Sequence, residues 1–232
     1  DLLANNTHRM ELLEESMRMF YREWFVNLRF PGYERVKITD GIPDGWKKIE
    51  IGDLVDEVRK SIHPEDVKPH TPYVGLGHIP RKSIALTDWG CAKDVSSNKY
   101  SFEHKDILFG KIRAYFHKVV FAPFFGICSS DTIIYRPKQE DWFSLVLVMA
   151  SSEHFVAFAS KTAKEGAKMP RANPKVMKQY PVLLPSKYLL DEFNKIAVPI
   201  VDQIENLIVS NQKLIEARNM LLPRLINGSI PV

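Results

Sequence analysis

Cysteine is nearly absent. Cys91 and Cys128 are the only two in 232 residues, too few for a disulfide framework or a cysteine-rich zinc site, which points to a reducing, cytoplasmic setting. Long apolar runs are missing as well: the longest, WFSLVLVMA from Trp142, is about half of what a membrane-spanning helix needs. The first residues show no basic-then-apolar targeting pattern, and no membrane association is expected. Phosphate-cradling loops fail too. Gly75-Leu76-Gly77 begins a G-x-G, but Pro80 stands where the third glycine belongs, and no G-x-x-x-x-G-K-[ST] occurs. Asn173-Pro174 is followed by Lys175, so the N-P-P-[YF] signature of adenine methyltransferases is missing.

Catalytic patterns are equally scarce. The histidines lack the H-E-x-x-H spacing of a zinc site, and Ser129, Ser130, Asp131 and His117 sit in nothing that resembles a nucleophile elbow. The nearest approach to nuclease half-sites is a pair of carboxylate-x-lysine tripeptides, Asp66-Val67-Lys68 and Glu103-His104-Lys105. Metal-dependent hydrolysis needs several carboxylates converging on a cation, and in a chain with 26% charged residues such tripeptides arise by chance. No catalytic residue, cofactor or metal site is expected.

What the chain does have is helix-pairing pattern. Phe193, Ala197, Ile200, Ile204, Leu207, Leu214, Leu221 and Leu225 fall in one heptad register, with Asn211 and Arg218 at seam positions. A strict seam buries little without a second helix, and a polar seam residue sacrifices stability to fix register. Asn211→Leu is therefore expected to raise thermal stability while loosening register or partner choice. An amphipathic N-terminal helix is read over about Asn6 to Leu28, with Met10, Leu13, Met17, Phe20 and Trp24 on one stripe. A faint echo, N-x-x-x-[aliphatic]-E, relates Asn6, Met10 and Glu11 to Asn211, Ile215 and Glu216.

Between the helices, the glycines and prolines at 31–45 mark a linker, and β-like runs recur at 46, 72, 83, 106, 117, 131 and 181. Helical pattern follows Asp141 as far as Lys164, and Asn173-Pro174 reads as the cap and first turn of a short helix. After Pro185-Ser186 the long heptad helix begins, with Pro199 expected to kink or restart it and Pro223 and Gly228 to bend or end it. The fold class is α+β: a mixed β-sheet domain over 46–186, flanked by long coiled-coil helices at 1–30 and 187–232, with 31–45 as the linker.

The net charge of +4 is concentrated. Lys161, Lys164, Lys168, Arg171, Lys175 and Lys178 face one acid, Glu165, in the same segment. Such a local field suits a polyanion, since neutralising phosphates releases condensed counterions. Two stretches combine basic groups with glycine and aromatics: KEGAKMPRAN, which supplies Lys164, Lys168, Arg171 and Asn173, and FGKIRAYFHKV, which supplies Lys111, Arg113 and Lys118. In an ideal strand Lys111, Arg113 and Tyr115 share one face. Arginine can hold guanine bidentately and asparagine adenine, while lysines mostly hold phosphates.

The succession ELLEESMRMFYREWFVNLRFPGYE, GIPDGWKKIEIGDLV, DILFGKIRAYFHKV, CSSDTIIYRP, AKMPRANPKVMKQYPVLLP and RNMLLPRLINGSI resembles the specificity subunits of type I restriction-modification systems. The resemblance covers nearly the whole chain and rests on the order and spacing of these segments together. It implies a target-recognition domain alternating with conserved helices that pack as an antiparallel coiled coil. It also implies one recognition domain where a usual member has two: either the second half of a longer subunit or a self-associating half-subunit. The implied partners are double-stranded DNA, methyltransferase subunits, a restriction subunit through them, and a second copy or other half through the coiled coil. The partner of the C-terminal seam is then expected to be the Met10–Trp24 helix of a neighbouring copy or its equivalent in an absent half. The implied function is sequence-specific reading of half of a bipartite DNA target, without catalysis. The helix-pairing residues expected are Met10, Leu13, Met17, Phe20, Trp24, Ile204, Leu207, Asn211, Leu214, Arg218 and Leu221. A metal-dependent nuclease using Asp66 and Lys68 or Glu103 and Lys105, and a coiled-coil scaffold without nucleic-acid binding, are the competing readings.

Overall fold

A computed structural model of the chain describes residues 1–164 and 166–226, and of Leu225 only the backbone. Glu165, Gly228 and the side chain of Leu225, all invoked above, lie outside the described part. Helix α1 spans Leu2–Tyr21, its first turn capped by the Asp1 carboxylate, which accepts from the Leu3 N–H at 3.0 Å. A turn of π-helix, Arg22–Val26, continues it, and Leu28, at φ +58°, ends it. That wide turn puts both Trp24 and Phe25 inside and leaves Phe20, expected on the buried stripe, 36% exposed with its ring edge-on to Trp24.

A short hairpin, β1 (Ile38–Thr39) and β2 (Ile42–Pro43), leads to β3 (Lys47–Glu50), the brief helix α2 (Ile51–Leu54), β4 (Val55–Val58), β5 (Ser61–Ile62) and β6 (Pro72–Val74). Then come β7 (Gly90–Cys91), β8 (Lys99–Phe102), β9 (Ile107–Gly110), β10 (Val119–Phe121), β11 (Gly126–Cys128) and β12 (Thr132–Pro137). Helices α3 (Phe143–Ala150), α4 (Glu153–Lys161) and α5 (Pro174–Met177) precede β13 (Pro181–Leu184) and the long α6 (Lys187–Ile226).

The strands form an antiparallel four-stranded sheet, β10-β9-β12-β4, and a mixed five-stranded sheet, β5-β8-β11-β6-β7, in which only β11 and β6 run parallel. β13 pairs with β3. Period-two alternation explains the layering. Ile107, Phe109, Val119, Phe121, Ile133 and Tyr135 belong to the core shared with the helices, whereas the intervening Leu108, Val120 and Ile134 join Val74, Phe102 and Cys128 in a second core. The four-stranded sheet is thus apolar on both faces, between a helical layer and the other sheet.

The helical layer is closed by α1 lying antiparallel along α6. The ends fix this orientation: the Asn6 amide donates to the Asn211 carbonyl oxygen at 2.8 Å, while Phe193 meets the rings of Trp24 and Phe25 at 6.1 and 4.9 Å between centroids. The helix on the seam is therefore the chain's own first helix and not that of a neighbouring copy, because the domain between them returns α6 alongside α1. Met10, Met17, Trp24, Ile204, Leu207 and Asn211 are buried, and Leu13 packs on the same core. The seam ends there. Leu214 is half-buried, Leu221 is 48% exposed, and the exposed Arg218 turns its guanidinium to Asn219. Pro199 neither ends nor restarts α6, which passes it and Pro223 as one helix about 60 Å long.

Candidate nucleic-acid interface

The two basic stretches, about fifty residues apart in sequence, meet. After β9 the chain makes an isolated bridge between Ile112 and Arg171, with the Ala172 N–H donating to the Lys111 carbonyl at 2.8 Å and the Arg113 N–H to the Pro170 carbonyl at 2.8 Å. These bonds lay residues 170–172 against the β9–β10 connection.

That connection is not the strand expected. Residues Ala114–Phe116 form a 3-10 turn, bracketed by Arg113 at φ +48°, ψ +58° and His117 at φ +55°, ψ +54°. Both are left-handed, a conformation that costs a non-glycine residue on the order of 1 kcal/mol and persists only where its surroundings hold it. Three bonds hold it here. The Lys82 N–H donates to the His117 carbonyl at 2.8 Å, the His117 Nε2 lies 2.7 Å from the Ser151 carbonyl oxygen, and the Lys118 ammonium donates to the Leu76 carbonyl. The alternation that would line Lys111, Arg113 and Tyr115 on one face is lost, because the chain curls there.

The sequence candidates separate into committed and available groups. Lys111 donates to the Ser130 carbonyl at 2.7 Å and lies 3.6 Å from the Asp131 carboxylate, which also holds Arg171 at 3.2 Å. One carboxylate is shared by two cations, leaving the site positive. Lys118 is half-buried. Burial first, then the nearby Arg81 guanidinium, pushes its ammonium below the ordinary lysine value. The Asn173 side chain caps α5 by accepting from the Lys175 N–H at 3.1 Å, so its carbonyl oxygen is used locally. Lys164 and Lys168 are exposed and form no ion pair among the described residues.

Residues outside the candidate set complete the face. The Arg81 guanidinium lies 4.1 Å over the Phe116 ring, Arg113 lies 5.9 Å from it, and Tyr115 packs edge-on to Phe116 at 4.9 Å while remaining 57% exposed. Arg81 comes from a turn thirty residues earlier, and no local signal in the sequence connects it to the loop. A cleft of about 250 Å3 is lined by Lys111 and Arg171 together with Arg59 and Tyr100.

Of the two carboxylates of the nuclease alternative, Asp66 is exposed at the end of the 3-10 turn Pro64–Asp66, and Glu103 is engaged. Glu103 pairs with Arg136 at 3.1 Å, and Lys105 sits over the Phe143 ring at 5.8 Å. Among the described residues no three His, Cys, Asp or Glu side chains converge.

Residues 43–217 match the family model described as the type I restriction modification DNA specificity domain. The chain is 28% identical over 153 residues to the type I restriction enzyme EcoDI specificity subunit of Escherichia coli, covering 65% of this chain and 34% of that one. It is 21% identical to the MjaIX specificity subunit of Methanocaldococcus jannaschii, covering 100% of this chain and 56% of that one. The chain thus spans between a third and somewhat over half the length of these curated relatives. Among solved structures, the type I restriction-modification S subunit from M. genitalium aligns over 97% of this chain and 56% of its own, with a TM-score of 0.61 at 13% identity. The HsdS subunit of Thermoanaerobacter tengcongensis aligns over 77% and 46%, with a TM-score of 0.53 at 18% identity.

Proposed function

Since this chain belongs to the family of type I restriction modification DNA specificity domains, we propose that it reads one half of a bipartite duplex DNA target and catalyses nothing itself. Its relatives are specificity subunits of restriction enzymes. In this reading residues 46–186 are the recognition domain, 31–45 the linker, and the helices at 1–30 and 187–232 set the spacing to a second half-site. They also present a surface to methyltransferase subunits and, through them, to a restriction subunit. A second copy or other half would join through the coiled coil where α6 runs on past α1, with Met220, Leu221 and Leu222 exposed, in the cytoplasm.

The observation that carries the reading is the Ile112–Arg171 bridge, which gathers two basic stretches into one face. Lys164 and Lys168 suit phosphates, which position the protein and make affinity salt-dependent. Arg171 and Lys111, paired through Asp131, hold the two loops in register and contribute net positive charge. Asn173 contributes chiefly by capping. The test is charge reversal, Lys168→Glu with Arg171→Glu, followed by duplex DNA titrations across a salt series. The expected result is weaker binding and a log–log salt slope reduced by about 0.9 for each phosphate that is no longer neutralised. Unaltered affinity and slope would return the chain to the scaffold reading. Divalent-metal-dependent DNA cutting by the purified chain would instead support the nuclease.

A further inference from the structure

We infer that Arg81 and Arg113, held by the Phe116 ring, are base-reading residues that recognise guanine in the major groove. This rests on the DNA-recognition reading above and goes beyond it by naming the readers and the base. Three observations carry it together.

The first is availability. Among the described residues neither Arg81 nor Arg113 has a side-chain hydrogen bond or an ion pair, whereas Lys111, Lys118 and Arg171 are all engaged. The second is placement. The Arg81 and Arg113 guanidinium carbons lie 4.1 and 5.9 Å from the Phe116 ring centroid, where the ring's quadrupole attracts a cation without using up its N–H groups. Those N–H groups form the fork that matches guanine O6 and N7. Lysine has no equivalent fork.

The third is rigidity. Tyr115 and Phe116 ride on a turn whose two ends, Arg113 and His117, are both left-handed and are pinned by bonds to Pro170, Lys82 and Ser151. A reader fixed before DNA arrives loses less conformational entropy on binding than a free arginine does. Phe116 acts through the arginines and is a positioning residue.

The full chain is incubated with a random duplex pool, and bound sequences are selected for wild type, R81K, R81A, R113K, F116L and F116Y; thermal midpoints check that each variant is folded. The selected wild-type motif should contain guanines. R81K should lose preference for guanine at one position and R113K at another, each by about five- to a hundred-fold, with the salt slope unchanged because the charge remains. F116L should relax the same positions, and F116Y, which keeps an aromatic face, should preserve them.

A wild-type motif without guanine, or R81K and R113K motifs identical to wild type, would overturn the assignment while leaving DNA recognition intact. So would an R81A profile that keeps every base preference but lowers the salt slope by about 0.9, the mark of an arginine that neutralises a phosphate. Wild-type protein that selects no duplex sequence, or that prefers RNA to duplex DNA, would overturn the DNA reading and this inference with it.

Discussion

Replacing Asn211 by leucine tests the helix seam, because the heptad pattern and the structure assign the substitution opposite signs. Pattern alone treats Asn211 as a polar interruption whose removal stabilises. In the structure Asn211 is 8% exposed and Asn6 3%, and the Asn6 amide donates to the Asn211 carbonyl oxygen at 2.8 Å. Asn211→Leu strands a buried amide, which costs about 1–3 kcal/mol. Burying a leucine side chain offsets part of this, since full burial is worth about 1.5–3 kcal/mol and the site is shaped for asparagine. The single variant, and Asn6→Leu likewise, should therefore lose about 1 kcal/mol, or roughly 2–4 °C in Tm for a protein of this size. The double variant removes both polar groups and should be neutral to slightly stabilised. The coupling energy from urea unfolding of the four proteins is then about 2 kcal/mol, within the range for residues in contact. A double variant that loses the sum of the single effects would refute the reasoning, as would Asn211→Leu more stable than wild type. The echo of Asn6 in Asn211 acquires a physical meaning here: the repeated residues are bonded to each other across the antiparallel helices.

Periodicity made the seam legible as far as its partner reaches. Phe193, Ala197, Ile204, Leu207 and Asn211 are buried as a heptad demands, but Val201 and Ile208 are buried too, because α6 also packs on α3 and needs a wider apolar stripe than a two-helix seam. Strands with strong β pattern were legible, among them β9, β10, β12 and β13. The run at 83 was not a strand: Ile84, Ala85 and Leu86 are buried, yet no ladder forms along them. β11 carried no signal because its first residue is glycine. A Cβ at Gly126 would stand 2.6 Å from the Pro72 carbonyl oxygen and 2.7 Å from the Phe102 ring, so close strand packing requires what reads as a turn residue. The basic loops were found by composition, and their union was not, since the Ile112–Arg171 bridge and the left-handed Arg113 and His117 are set by tertiary contacts.

Two further perturbations address buried charge. Asp106 is fully buried and grips the Arg136 guanidinium through two 2.8 Å bonds while accepting from the Glu103 N–H at 2.7 Å. Asp106→Ala should cost about 3 kcal/mol in urea unfolding, the low end for a broken buried pair because Arg136 retains solvent access, and a loss under 1 kcal/mol would count against the pair. Glu14 lies on the buried face of α1, its carboxylate accepting from the Ser83 hydroxyl at 2.6 Å with Arg18 3.3 Å away. Burial raises its carboxyl above the ordinary value of 4.5, outweighing the Ser83 hydrogen bond and Arg18, which pull it down. The native state therefore binds this proton more tightly than the unfolded chain. The stability it contributes is full below pH 4.5 and is lost as pH rises through the folded value. Glu14→Gln cannot ionise, so its stability relative to wild type should be constant below that window, rise through it and level off above it. Urea midpoints measured from pH 4 to 8 that ran parallel for the two proteins would show that Glu14 keeps its charge on folding without penalty.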